Sequence, residues 1–171
     1  MLLWFLLLFL IPAMTAAAAG TRKNCGGNFT ARKGVLQTPD FPKNFSTPID
    51  CEWVIKSEKE NTSIIVYLTQ MYVFEGLTFT EYVEYDKRLP GVVILSGEDV
   101  VKGKYVQCHK NVLVISLKLN SIENNHIRVM DNFMDVYGFN ITYEITSGDV
   151  RKDHCNMMDC GYTGLCYDYG S

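Results

Sequence analysis

The chain has 171 residues, 16 of them Lys or Arg and 19 Asp or Glu, for a formal net charge of −3. Both signs are interspersed, which excludes the basic footprint that nucleic-acid binding requires. The length fits one domain with a short second module, and the sequence contains no internal repeat, low-complexity tract or heptad run.

The first element is "MLLWFLLLFLIPAMTAAAAG", apolar over residues 2–11, then Pro12 and a run of alanines. It reads as a secretory signal peptide over residues 1–19. Ala17-Ala18-Ala19 satisfies the small-x-small cleavage rule, although no Lys or Arg strengthens its amino-terminal end. A spanning helix needs about 20 strongly apolar residues, which neither this segment nor any later one supplies. Four N-x-S/T acceptors follow, at Asn28, Asn44, Asn61 and Asn140, as expected of a secreted glycoprotein. In that oxidising setting the six cysteines point to disulfides rather than to zinc or a redox pair.

From residue 51 onward the hydrophobic period is two. "CEWVI" turns Cys51, Trp53 and Ile55 inward, and further strands are expected at "SIIVYL" from Ser63, "EYVEY" from Glu81 and "GVVIL" from Gly91. In "NVLVISLKL", Leu113, Ile115, Leu117 and Leu119 share one face, with Val112, Val114, Ser116 and Lys118 on the other. "GFNITYEI" repeats the device, placing Phe139, Ile141, Tyr143 and Ile145 inward and Asn140, with its glycan, Thr142 and Glu144 outward. Turn signals "TPDFPKN", "STPID", "RLPG" and "SGED" separate the strands, and no convincing helix appears. These features predict an all-β sandwich of antiparallel sheets, ending near Ser147-Gly148 at the polar linker "SGDVRKD".

The segment "NCGGNFTARKGVLQTPDFPKNFSTPIDCEWVI" resembles the opening of a CUB domain. Cys25, Gly26, Gly34, Pro39, Phe41, Pro42, Cys51 and Trp53 fill the family's positions. "YVEYD" is similar to the family's extended central segment, and "YGFNITYEI" resembles its closing strand. The resemblance covers residues 25–146, with residues 147–154 left as linker. It implies a jelly-roll sandwich acting as an extracellular binding module, and a first disulfide between Cys25 and Cys51. The family's second disulfide is missing, because no cysteine lies between Cys51 and Cys108.

The resemblance extends to a calcium-binding subset, for which Glu75, Glu81 and Asp131 are the nearest matches. Only Asp131 has the expected type and spacing, and calcium demands six or more oxygens in a site of defined size. Solvated surface acids are the competing reading. No other cofactor is indicated.

Residues 155–171 carry Cys155, Cys160 and Cys166, with Gly164 two before the last, and resemble the first half of an EGF-like module. That resemblance implies a Cys155–Cys166 pair and leaves Cys160 and Cys108 without assigned partners. Parity permits a bond between those two, but the ending reads as a truncation.

No catalytic set emerges. Cys108 and His109 are sequence neighbours that a strand points to opposite faces, and His109, His126 and His154 sit in no triad or zinc-protease spacing. The expectation is a non-enzymatic extracellular module that binds a protein ligand, part of a larger secreted or cell-surface mosaic. The alternative is a regulatory segment of a secreted protease, truncated before or after its catalytic domain. The ligand surface is expected on the loops at residues 74–81 and 124–135, where aromatic and acidic side chains are presented by a rigid sheet.

Overall fold

A computed structural model describes residues 25–97, 99–129 and 134–147. The signal segment, most of the linker and the tail cysteines Cys155, Cys160 and Cys166 lie outside them. The strands are β1 (Gly27–Phe29), β2 (Lys33–Gln37), β3 (Ile49–Lys56), β4 (Ser63–Tyr67), β5 (Leu77–Tyr82), β6 (Val92–Ser96), β7 (Tyr105–Cys108), β8 (Val112–Leu119), β9 (Ile127–Val129), β10 (Met134–Val136) and β11 (Asn140–Thr146). A single helical turn, α1 (Asp99–Lys102), interrupts the series.

Two sheets form the sandwich, a five-stranded one in the order β1-β3-β8-β5-β6 and a four-stranded one in the order β2-β11-β4-β7. β9 and β10 make a separate antiparallel pair. The alternation in β8 decides which face meets the opposite sheet. Leu113, Ile115, Leu117 and Leu119 enter one buried cluster with Cys51, Trp53 and Ile55 from β3, Phe79 from β5, and Phe139, Ile141 and Tyr143 from β11. Trp53 lies against Phe139 with ring centroids 4.9 Å apart. Complete burial of side chains this size stabilises by roughly 1.5–3 kcal/mol each.

Cys25 and Cys51 are joined, with Cα atoms 5.4 Å apart and a sequence separation of 26. Such a crosslink contributes roughly 3 kcal/mol through the unfolded chain. Next to it, Gly26 has φ +88° and lies so close to the Glu52 carbonyl that a Cβ would collide with it. Only glycine satisfies both conditions.

Four expectations need correction. The sheets are not purely antiparallel, because β1 runs parallel to β3, in register Gly27 with Trp53. The strand expected at "EYVEY" begins earlier, at Leu77, and ends at Tyr82. There the chain turns away, and Tyr82 and Tyr85 pack on Val54, Val112 and Val114. The supposed outer face of β8 is therefore capped by its own neighbouring loop. Thr142 and Glu144 of β11, assigned outward, are also buried. Tyr67 Oη donates to Glu144 Oε1 at 2.6 Å, and Lys33 Nζ lies 3.9 Å from Oε2, so the carboxylate is compensated rather than solvated.

Candidate protein-interaction surface

β4, β7 and β11 meet one end of the sandwich at Tyr67, Tyr105 and Asn140, and β5 and β8 reach the same end at Leu77 and Leu119. The β4–β5 and β8–β9 connections are fastened together there by one side chain. Asn125, fully buried, accepts the Phe74 and Glu75 amides on Oδ1 at 3.0 and 3.1 Å, and its Nδ2 donates to the Glu75 carbonyl at 3.1 Å. One amide thus satisfies three backbone groups of a distant loop. Its own neighbour Asn124 takes φ 62°, a left-handed conformation that asparagine tolerates.

The turn after β2 joins the same end. Phe41 stacks on Tyr72 with centroids 6.1 Å apart, and the Pro42 carbonyl accepts the Tyr137 amide at 3.0 Å. Tyr137 in turn stacks on His126 at 4.8 Å, and His126 Nε2 stands 3.7 Å from Asp135 Oδ1. Gly138, at φ +76°, lets the chain pass directly against the Thr38 hydroxyl, which accepts the Phe139 amide at 3.0 Å. Phe41, His126, Asp135 and Tyr137 are all half-buried and Glu75 is exposed. The result is a fixed patch of aromatic rings, an imidazole and carboxylates, suited to stacking and hydrogen bonding.

Of the two loop regions expected to carry the ligand surface, Phe74 and Glu75 are joined to Asn125, whereas residues 77–81 belong to β5 with Leu77 and Phe79 in the core, and residues 130–133 lie outside the described residues; the three acidic residues proposed for calcium are not brought together. Glu75 precedes β5 at the loop end, whereas Glu81 lies near the strand's far end. At about 3.3 Å per residue they stand roughly 15–20 Å apart, against the ~2.3–2.6 Å that each oxygen must approach a calcium ion. Asp131 lies outside the described residues. Among the described residues no three His, Cys, Asp or Glu side chains form a metal-sized group.

Glu81 serves another partner. Its Oε2 accepts the His109 amide at 3.2 Å, and its carboxylate faces the Cys108 thiol. Cys108 is buried and unpaired, its Sγ 3.3 Å from the Lys110 carbonyl. Burial pushes the thiol up to about 12, with the Glu81 charge adding to the shift and the Lys110 contact partly opposing it. A thiol so held is protonated at neutral pH and unavailable as a nucleophile.

The sequon asparagines Asn28, Asn44 and Asn61 are exposed. Asn140 is half-buried, and its Nδ2 donates to Gln70 Oε1 at 2.7 Å. Sequence reasoning missed Asn125 and the His126–Tyr137 stack, because no local pattern marks a side chain whose partners are about fifty residues away or across a turn. It also missed a group of exposed hydrophobic residues at Val83, Leu89, Val92 and Val93.

The CUB domain model matches residues 25–143. The chain belongs to the CUB family. Its CUB domain is a protein-interaction module of the kind found in extracellular mosaic proteins. A cubilin homolog of Drosophila melanogaster is 40% identical over 35 residues, covering 20% of this chain and 1% of that protein. The CUB1-EGF-CUB2 domains of rat MASP-1 superpose with a TM-score of 0.50 at 13% identity, over 75% of this chain and 46% of that one, a likeness of fold. The calcium-bound MASP-1 CUB2 domain has a TM-score of 0.41 at 14% identity, over 70% of this chain and 98% of that one.

Proposed function

We propose that this CUB chain is a non-enzymatic extracellular module that binds a protein ligand through the loop end carrying Phe41, Glu75, His126, Asp135 and Tyr137. In this reading residues 1–19 are a cleaved signal peptide, the four sequons carry glycans, and residues 155–171 begin an EGF-like module of a larger secreted or cell-surface mosaic. The observation that carries it is the Asn125 clamp, which orders the β4–β5 loop beside the aromatic patch before any ligand arrives. Preordered loops bind without the entropy cost of fixing them on contact. The buried, protonated Cys108 is unavailable as a nucleophile, which counts against thiol-dependent hydrolysis at this site. The test is to assay the secreted chain on peptide and ester substrates. No turnover is expected, and turnover abolished by Cys108→Ala or His109→Ala would overturn the reading.

A further inference from the structure

A groove of about 450 Å³ lies at the end of the sandwich opposite the loop-end surface. Its walls are the turn between β1 and β2 at Thr30, the β3–β4 loop from Ser57 to Thr62, and the end of β11 with Ser147 beyond it. Register fixes the end: Thr146 of β11 pairs with Ser63, while Thr142 pairs with Tyr67 toward the loop end.

Backbone and hydroxyl contacts hold these walls in place. The Ser57 and Thr62 hydroxyls lie 2.6 Å apart, Thr62 Oγ1 donates to the Lys59 carbonyl at 2.9 Å, and the Ser57 amide donates to the Asn111 carbonyl at 2.8 Å. Across the groove, the Ile145 amide donates to the Arg32 carbonyl at 2.8 Å. The groove is therefore formed in advance of any occupant. Ile145, half-buried, gives it an apolar surface, and the exposed side chains of Thr30, Glu58, Lys59 and Ser147 give it hydroxyl and charged groups. A pyranose ring presents the same pairing, an apolar C–H face and a rim of hydrogen-bonding groups.

One sequon is built into the wall itself. Asn61 is exposed, sits between the lining residues Glu60 and Thr62, and is turned at φ 57°. The other acceptors are placed less directly. Asn44 adjoins no lining residue, Asn140 is near the loop end, and Asn28 is separated from Thr30 by Phe29, whose ring packs on Tyr143.

We propose that this groove seats the first N-acetylglucosamine residues of the chain's own glycan on Asn61. The inference rests on the reading that Asn61 is glycosylated, and it adds where that glycan lies. Tethering selects the occupant: a group on a short linker is present at an effective concentration on the order of millimolar, so a groove too weak to hold free sugar is filled by the attached one. The sugar then covers the β3–β4 loop and the end of β11, and leaves the loop-end ligand surface free.

Glycopeptide mass spectrometry and hydrogen exchange on the secreted chain test the proposal. Asn61 should be occupied, and with isotope-labelled N-acetylglucosamine the sugar should show nuclear Overhauser contacts to the Ile145 methyl groups. Ser63→Ala abolishes the sequon without altering Asn61, and amides at residues 58–62 and 145–147 should then exchange about threefold faster or more. Ser63→Thr keeps the sequon and should exchange as the parent does, as should Asn44→Gln. An occupied Asn61 whose sugar makes no contact with Ile145, or exchange equally slow in Ser63→Ala, would overturn the proposal while leaving the glycosylation reading intact. A bare Asn61 would overturn both.

Discussion

The Glu81 carboxylate faces the Cys108 thiol from β5 of one sheet to β7 of the other. The CUB resemblance implies a second disulfide at Cys108, and in this chain a hydrogen-bonding carboxylate occupies the space beside the sulfur instead. The contact leaves the thiol intact but inert, and it explains why Glu81 is unavailable to a metal.

Cys108 makes stability depend on alkaline pH. Its pKa is raised from 9.0 to about 12, so the folded state holds a proton that the unfolded state releases between those values. The contribution is fully present below pH 9 and is lost as pH rises toward 12. Denaturant titrations should show a steeper loss of stability over that range in the parent than in Cys108→Ala. Identical slopes would contradict the buried-thiol assignment. At neutral pH the folded chain should resist thiol alkylation at Cys108 and react there once unfolded.

Asn125→Ala should destabilise by about 1–3 kcal/mol, because the Phe74 and Glu75 amides lose their acceptor in a partly buried site. Hydrogen exchange should speed up at those two amides. Unchanged protection there would show that the clamp does not order the loop.

Trp53→Ala should cost about 3–5 kcal/mol, since the indole is fully enclosed and packs on Phe139. Val35→Ala on the exposed face of β2 should remain within about 0.5 kcal/mol. Chemical denaturation of the two variants checks the ranking.

Glu81→Gln should leave any calcium response of the chain unchanged, because Glu81 and Glu75 flank the length of β5. A calorimetric calcium signal abolished by Glu81→Gln would overturn that separation.

Much of the fold was legible because burial imposes a period on each strand. The leucines and isoleucine of β8, the Cys51-Trp53-Ile55 face and the closing strand through Phe139 and Tyr143 all face the core as their alternation requires. What alternation conceals is a second covering layer. Val112 and Val114 read as an outer face, yet Tyr85 folds over them, and Glu144 is held inside by Tyr67. These contacts join residues far apart in sequence, so no short window encodes them. The same holds at the loop end, where residues 77–81 read as an exposed connection but form β5 with Phe79 in the core, and Asn125, which fastens Phe74 and Glu75, left no mark in the sequence.

Whether the loop end is the ligand surface is decided by surface plasmon resonance of the secreted chain over a panel of immobilised extracellular ectodomains. A protein ligand is expected whose affinity falls about tenfold or more in Tyr137→Ala or Phe41→Ala and is unchanged in Cys108→Ala. A ligand bound equally well by the parent and both aromatic variants would contradict it.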